Sequence, residues 1–477
     1  MTLALLQVVL VTAGCYGLWR LWLACSGSGR VRLIVAAGFL IRALLGQALY
    51  WISFLRLPIA RSLQLGNGFW FFALDGPGYL DYAHTLIEHG PKAMLFIDSG
   101  FKSRLYTQAF TFFVAAFGVV GSVAILFNCA AYLATCAIVQ RIGPRDPRFN
   151  IPRLIALAAI TFGPGTILWS LQPLKDTFFL LLIVSMIGAC YRWQELWRRG
   201  APPRMWPLVG CGAAMLFVIY EIGGTRWYFA TIVLAAWPLF LLMTTLAARP
   251  RRLPALLAGT LLFLLLTQAF RLGGSNDMPE QIHLLLTPQL LTNRLKPAAA
   301  VPRLIVESRE GFEYTRGATM ILPGPALPPT PVTIATSEAP SSASGVFSPA
   351  GRPVEKATLF QLRVETLVTG FTAMFIPKTL AEVLGLVRIG GGRGFWFFVE
   401  VDTLVFDAVM LFTLIFCARA LRTYARVTPL FILLLLIFVM TAAPMMYTVA
   451  NFGTLFRLRQ MVYGIAAIMP LTLAPRS

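Results

Sequence analysis

The sequence predicts an all-α polytopic membrane protein, with about 11–13 transmembrane helices if each long apolar run crosses the bilayer. Of its 477 residues, 57% are hydrophobic and only 13% are charged, against roughly 25% charged in ordinary soluble proteins. The mean hydropathy is +0.73. A soluble domain has too little interior to cover so much apolar side chain. The composition therefore excludes a cytosolic enzyme, a secreted disulfide scaffold and a disordered chain.

Eleven apolar runs are clear candidates for membrane spans. They lie at 3–19, 33–55, 122–140, 153–172, 176–193, 206–221, 227–247, 254–270, 398–416, 428–448 and 459–473. If the run at 105–120 crossed the membrane alone, it would reverse the predicted side of every later loop. We therefore expect it to form a re-entrant or interfacial helix, or to be paired with a second crossing that the hydropathy does not reveal. The run at 364–376 is ambiguous, because Pro377 and the glycines at 390–392 disfavour a simple span. No basic residue precedes the first run, which favours a retained anchor over a signal peptide.

Five arginine clusters separate these runs and predict the orientation. Their members are Arg20, Arg30 and Arg32; Arg141, Arg145, Arg148 and Arg153; Arg192, Arg198, Arg199 and Arg204; Arg249, Arg251 and Arg252; and Arg419, Arg422 and Arg426. Cytoplasmic loops retain Lys and Arg, so the clusters predict the cytoplasmic side of a cell inner (plasma) membrane. The intervening segments would face outward: 56–121, 173–175, 222–226, 271–397 and 449–458. The net charge of +20 is spread over these clusters and not over one dense face, which argues against nucleic acid as a partner.

The chain divides into three predicted parts. Residues 1–270 form a transmembrane core that contains the first outer loop, 56–121; residues 271–397 form a long outer loop; residues 398–477 form the C-terminal helices. Within the long loop, 323–353 is rich in Pro and Ser and poor in aromatic residues, which predicts a flexible segment. It is either a passive linker or a lid over a substrate groove.

The first outer loop reads DGPGYLDYAHTLIEHG from Asp75 to Gly90. The Gly-Pro-Gly unit predicts a turn that leaves Asp75 outside any helix. From Tyr79, apolar residues recur at helical spacing, which predicts an amphipathic helix on the membrane surface that ends at Gly90. The motif GFWFF precedes this loop at 68–72 and recurs at 394–398. It predicts an aromatic belt that places both copies at one membrane depth.

This loop resembles the first-loop signature of the GT-C glycosyltransferases: an acid, Asp75, followed by Tyr79, by Ala83 and by the closing Gly90. Four later stretches resemble the family in the same order. They are Arg104-Leu-Tyr106 with Phe117-Gly118, which lack the family's proline, then LFNCAAYLATCAIVQRIG (126–143), PGTILWSLQPLKDTFFLLL (164–182) and NFGTLFRLRQ (451–460). The similarity covers about residues 55–200 and 450–475, and the middle of the chain carries no such signal.

The resemblance implies an enzyme that takes a sugar from a polyprenyl-phosphate donor. The acceptor would be an envelope glycan, a glycolipid or a protein on the outer face of the inner membrane. The resemblance assigns the family's catalytic base to Asp75 and a supporting place to Tyr79. Asp81 and Glu88, on the same surface helix, are back-up candidates for the base; the alternative for both is a solvated position on the outer face of that helix. Besides the donor and the acceptor, the protein would contact the lipids of the membrane around it.

The chemistry of such a transfer demands a base beside the acceptor hydroxyl and positive charge where the phosphate leaves. Three outer cations are the main candidates for donor-phosphate binding: Arg457 and Arg459 in the last outer loop, and Lys175 between two spans. Arg104 is a weaker candidate. Lipid-headgroup anchoring is the alternative for the arginines, and snorkelling is the alternative for Lys175.

Three acidic positions have open roles. In the GT-C family an acid at the position of Asp176 helps organise the donor phosphate or a metal, whereas helix capping would be its plain structural role. Glu400 and Asp402 lie in or near one span, where ionisable groups usually serve a site or pair with another charge. For these two, metal coordination, pairing with Arg388 or Arg393, and proton movement are all open. No cofactor is predicted with certainty; a divalent metal ion is the one candidate.

Three other functions stay open at this point. A polysaccharide polymerase or ligase that uses a lipid-diphosphate oligosaccharide would need outer arginines but no first-loop acid. A transporter or flippase for a lipid-linked sugar would need a charged pathway and two related halves. A non-catalytic subunit of an envelope assembly complex would leave Asp75 dispensable.

Overall fold

A computed structural model describes residues 2–25, 27–95, 103–198, 205–248, 251–274, 371, 374–377, 380, 393–448 and 452–476. Over these residues the predicted all-α class is confirmed: the chain is helical apart from turns and two sheets of two short strands each. Most of the predicted long loop, including 323–353, lies outside the described residues, as does most of the ambiguous run at 364–376.

The helices carry the numbers α1 to α14 in chain order. They are α1 (Thr2–Ala24), α2 (Gly29–Phe54), α3 (Asp75–Glu88), α4 (Pro91–Leu95), α5 (Arg104–Phe117), α6 (Val123–Val139), α7 (Asn150–Phe162), α8 (Pro164–Leu168), α9 (Asp176–Arg198), α10 (Met205–Ala247), α11 (Arg252–Gly273), α12 (Arg393–Thr423), α13 (Pro429–Thr448) and α14 (Phe452–Ile468). Strands β1 (Gln64–Gly66) and β2 (Phe69–Trp70) pair antiparallel, as do β3 (Ala425–Arg426) and β4 (Ala474–Pro475). Short 3₁₀ turns lie at Arg61–Leu63, Phe71–Ala73, Pro147–Phe149 and Met469–Thr472.

Six of the described helices are long and apolar enough to cross a membrane: α2, α9, α10, α11, α12 from Phe398 onward, and α13 as far as Met446. These helices indicate a multi-pass membrane protein. The eleven predicted runs are largely helical. Gly163 and Pro164 divide the run at 153–172 into α7 and α8, because proline cannot donate to the helix that precedes it.

Helix α10 consists of two helices that meet at Arg226, whose backbone angles (φ −149°, ψ 77°) are not helical. Gly212, in the first half, faces Leu262 of α11, and Gly259 of α11 faces Leu241 in the second half. Both halves therefore run alongside α11, and the chain reverses at Arg226. This reversal lies within the turn predicted at 222–226.

Helix α5 has 14 residues, or about 21 Å at 1.5 Å per residue, which is too short for a hydrocarbon layer of about 30 Å. Just before α5, Ser103 hydrogen-bonds to Lys175. Just after it, Gly121 faces Phe69, and Phe69 also lies against Gly76. Both ends of α5 are thus at the end of the bundle that carries Asp75, here called the site end. A re-entrant or interfacial helix was the expectation for this run.

Helix α3 begins at Asp75 itself, so the prediction that Gly-Pro-Gly holds this carboxylate outside a helix was wrong. Proline is tolerated in the first helical turn, because the N–H that it lacks would have no partner there. The predicted amphipathic helix is present: Tyr79, Ala83 and Leu86 are buried. The Tyr79 ring packs edge-on against that of Tyr106 on α5, with centroids 4.8 Å apart.

The two GFWFF copies have different structures. Phe69 and Trp70 of the first copy form β2, are 8% and 4% exposed, and the Trp70 indole N–H donates to the Leu49 carbonyl at 2.9 Å. The aromatic-belt prediction is therefore wrong for these two rings, which lie inside the protein. In the second copy the backbone belongs to α12, and only the Phe398 side chain falls within the described set.

Candidate functional site

Five charged side chains meet at the site end: Asp75, Lys175, Asp176, Arg226 and Arg457. They are called the charged cluster below. The Arg457 guanidinium donates from Nη1 to Asp75 Oδ2 at 2.8 Å and from Nε to Asp176 Oδ2 at 2.5 Å. Arg226 donates to the other oxygen of Asp176. Arg457 of α14 therefore bridges one carboxylate on α3 and one on α9.

The two carboxylates differ in exposure. The Asp75 side chain is 53% exposed, whereas the side chains of Asp176 and Arg226 are each 3% exposed. Asp176 is buried between the guanidiniums of Arg226 and Arg457 and fixes the position of both by accepting a hydrogen bond from each. Asp75 has one oxygen bound to Arg457 and keeps its other oxygen open for a further contact, since Oδ2 alone accepts the Arg457 bond.

Lys175 lies beside this ion-pair network and donates from Nζ to the Ser103 hydroxyl at 2.7 Å. The Tyr79 hydroxyl lies 3.5 Å from the same Ser103 oxygen. Burial, followed by the positive charges of Arg226 and Arg457, lowers the pKa of Lys175 to about 7, against the opposing effect of the two aspartates. The Lys175 amine therefore gains or loses its proton much closer to neutral pH than an ordinary lysine does.

The cluster has donors to spare. Arg457 Nη2 and Arg226 Nε are buried and have no hydrogen-bond partner in the part of the chain that the structure describes. A lysine amine has three donors when it is charged. With Lys175 protonated, three cations face two carboxylates, which gives a net charge of +1; with Lys175 neutral the net charge is zero. This arrangement suits a ligand with a single negative charge.

A small cavity lies behind Asp176, with Arg42, Trp169 and Gln460 in its wall. Its volume is about 10 Å³, enough for about one water molecule. Arg42 is 1% exposed. Its guanidinium donates to the Ile160 carbonyl at the end of α7 and lies 4.1 Å from the centre of the Tyr132 ring. It makes no ion pair with the described carboxylates, so it adds positive charge beneath the charged cluster.

Arg459 and Asp402 form a separate, buried ion pair and are 2% and 6% exposed. Arg459 also donates to the Thr403 hydroxyl at 2.9 Å, and Asp402 Oδ1 accepts from the Gly165 backbone N–H at 2.6 Å. The pair thereby ties α8, α12 and α14 together. The sequence suggested that Arg459 and Arg457 act at one site, but Arg459 lies outside the charged cluster, because residues two apart on a helix point to different sides. Asp402 pairs with Arg459, where the sequence had offered Arg388 or Arg393.

The remaining candidates lie outside the cluster. Arg104 donates to the Leu272 carbonyl at the end of α11, Asp81 is exposed on α3, and Glu400 is half-buried on α12. Across the described residues, no group of three or more His, Cys, Asp or Glu side chains could hold a metal ion. Asp75 and Asp176, the two clustered acids, are bound to arginines.

Sequence reasoning brought Asp75, Tyr79, Lys175, Asp176 and Arg457 forward, and the structure places them together. It missed two residues. Arg226 was visible as a lone cation in the short predicted outer turn at 222–226. Arg42 was visible as a lone cation within the apolar run at 33–55.

Comparison with known proteins gave no match: no family model, curated protein or solved structure resembles the chain significantly. The likeness to the GT-C glycosyltransferases accordingly stays a prediction from the motifs.

Proposed function

We propose that the protein is an integral-membrane glycosyltransferase. It would transfer a sugar from a polyprenyl-phosphate donor to a hydroxyl of an envelope glycan, a glycolipid or a protein. The observation that carries the proposal is the Asp75–Arg457–Asp176 bridge. It sets one exposed carboxylate against buried cations with unused donors, at one end of a bundle of apolar helices.

In this mechanism the acceptor hydroxyl approaches Asp75 Oδ1, which takes the proton as the acceptor oxygen attacks the anomeric carbon. The bond between that carbon and the phosphate oxygen breaks, and its electron pair leaves with polyprenyl phosphate. The leaving group is already an anion, so it needs positive charge more than a general acid. Arg457 Nη2 and protonated Lys175 would supply that charge at positions fixed before the reaction.

The position of the cluster supports a lipid-linked donor. The donor's tail stays in the bilayer, so its phosphate can reach only groups near the ends of the membrane helices. Asp75 and Asp176 are the first residues of α3 and α9, and Arg457 is in the second turn of α14. Charged groups near helix ends can remain at the interface.

We infer that the site end faces the outside of the inner membrane, because the arginine clusters belong to the opposite end. Cysteines introduced at the exposed positions Lys92 and Arg148 would test this with a membrane-impermeant maleimide on intact cells. We expect labelling at Lys92→Cys only, with Arg148→Cys reacting after the cells are opened. The reverse pattern would refute the orientation.

Arg457→Ala is expected to weaken donor binding by roughly 1.5–3 kcal/mol, because a charged hydrogen-bond donor to phosphate is lost. Lysine at this position should restore only part of the affinity, since it lacks the planar fork of arginine. The measurement is equilibrium binding of a polyprenyl-phosphate sugar to the purified protein, alongside detection of the lipid product formed in the presence of acceptor.

Arg61→Ala serves as the control for Arg457→Ala, because it removes a cation from an exposed residue of the first outer loop. Donor affinity should change by less than about twofold in this variant. Equal losses in Arg457→Ala and Arg61→Ala would mean that the donor responds to overall charge and not to a site.

Donor affinity should fall as pH rises through about 7, the pKa of Lys175. The bound phosphate favours protonated Lys175, so binding takes up protons in this range. Lys175→Gln should lower the donor affinity at pH 6 and flatten its pH profile. A wild-type profile that is already flat would contradict the role.

The free energy of unfolding should change with pH in the opposite direction. Between pH 7 and about 10.4 the Lys175 amine holds fewer protons in the folded chain than in the unfolded chain, so this group makes the protein more stable as pH rises.

A further inference from the structure

A second cleft lies at the end of the bundle opposite to the charged cluster. Its volume is about 670 Å³, and its polar lining includes Ser28, Arg30, Gln140, Asn150 and Arg153. Three helix ends form it: the start of α2, the end of α6 and the start of α7.

Two guanidiniums contribute to this cleft. Arg153 is held in place by bonds from Nη1 to Asn150 Oδ1 at 3.1 Å and from Nη2 to the Pro144 carbonyl at 2.7 Å. Its Nε is buried and has no partner in the described chain. Arg30 is exposed at the mouth. No carboxylate is among the lining residues, and the nearby Asp146 already lies 3.9 Å from Arg148. The lining therefore has a net charge of +2.

The cleft also has an apolar side. Val31 and Leu154 line it. Next to them along α2 and α7, Leu33 and Ile151 are 71% and 64% exposed. Leu33 lies on α2, one of the helices long and apolar enough to cross the membrane, so its exposed side chain is a surface for lipid. A ligand that fills the cleft would therefore meet both two cations and apolar side chains.

We propose that this cleft binds the phosphate headgroup of an anionic phospholipid from the leaflet at the arginine-rich end. Basic pockets between transmembrane helices are known to take such headgroups. The preference of cytoplasmic loops for arginine requires only that these residues lie on that side. It does not require residues 30 and 153 to converge on one concave surface that lacks carboxylates. The proposal is independent of the glycosyltransferase function, since the cleft shares no residue with the charged cluster.

The test compares binding of phosphatidylglycerol and phosphatidylcholine to the detergent-purified full chain by native mass spectrometry. We expect the wild type to prefer phosphatidylglycerol and Arg30→Ala to reduce that preference about fivefold, the effect expected for one basic residue at an anionic headgroup. Arg32→Ala is the matched control: it removes the same charge from an exposed position two residues along α2 and outside the cleft. It should leave the preference unchanged.

Three results would overturn the proposal. They are no preference for phosphatidylglycerol in the wild type, an equal loss in Arg32→Ala, and complete displacement of the lipid by excess inorganic phosphate. The second would indicate general attraction to anionic surfaces. The third would indicate a site for a soluble phosphate.

Discussion

Asp75→Asn is expected to reduce sugar transfer by a factor on the order of 10² or more, while donor affinity stays near the wild-type value. The asparagine oxygen can still accept the bond that Arg457 Nη1 makes with Asp75 Oδ2, so the bridge to Asp176 is kept. What is lost is the carboxylate that takes the acceptor proton. The measurement is the initial rate of product formation at saturating donor, with donor binding measured on the same preparation.

Asp81→Asn is the matched control for Asp75→Asn. Asp81 lies six residues further along α3 and is exposed, so the same chemical change there should leave the rate unaltered. Wild-type turnover in Asp75→Asn would exclude Asp75 as the base and favour a transporter or a non-catalytic subunit. Equal losses in both variants would point to the charge of α3 as a whole.

The convergence of the cluster could be predicted because sidedness is a strong constraint. Asp75, Lys175, Asp176 and Arg457 come from three separate segments of the sequence, each placed on the outer side by the alternation of apolar runs and arginine clusters. Residues assigned to one side of a membrane protein must share a thin layer, so few arrangements keep them apart. The resemblance of the first loop then singled out Asp75 from the other acids.

The face of a helix was harder to predict from the sequence. Arg457 and Arg459 are two residues apart and looked equivalent, yet the former binds Asp75 and Asp176 and the latter binds Asp402. Which side of α14 faces the site depends on packing against α8 and α12, and no local pattern encodes it.

A transporter would need an open charged pathway, and the buried Asp402–Arg459 pair offers no support for one.

Arg42, a single cation inside an apolar run, was also missed, because the apolar residues around it dominate the hydropathy of the run. Arg42 is stabilised by backbone carbonyls that become available only where α7 ends. That partner lies more than a hundred residues along the chain. Likewise, Gly-Pro-Gly signals a turn in isolation, but the first turn of a helix satisfies the same conformational limits. The environment of Arg42 thus depends on a tertiary contact, and the conformation of Gly-Pro-Gly depends on its position within the helix.

Arg226→Gln is expected to lower the free energy of unfolding by about 3 kcal/mol, the lower end of the cost of breaking a buried ion pair from one side, because Arg457 still binds Asp176. The side chains of Arg226 and Asp176 are each 3% exposed, so Asp176 would keep a buried charge compensated by Arg457 alone. Thermal or denaturant unfolding in detergent would measure the loss. Arg198→Gln provides a contrast on α9: its pair with Glu195 spans 2.9 Å, but both side chains are partly exposed, so the loss should stay within about 1 kcal/mol.

The double variant Asp176→Asn with Arg226→Gln tests whether the loss comes from the unpaired charge. Both members of the buried pair become neutral and similar in size, so the protein should regain most of the stability lost in Arg226→Gln. If the double variant is instead no more stable than Arg226→Gln, the guanidinium contributes through packing against the Phe179 ring, which lies 4.8 Å from it. The double variant also frees Arg457 from Asp176. If Asp176 serves to position Arg457, the double variant should bind donor more weakly than the wild type even where stability has returned. This split between stability and binding would separate a site residue from a purely structural one.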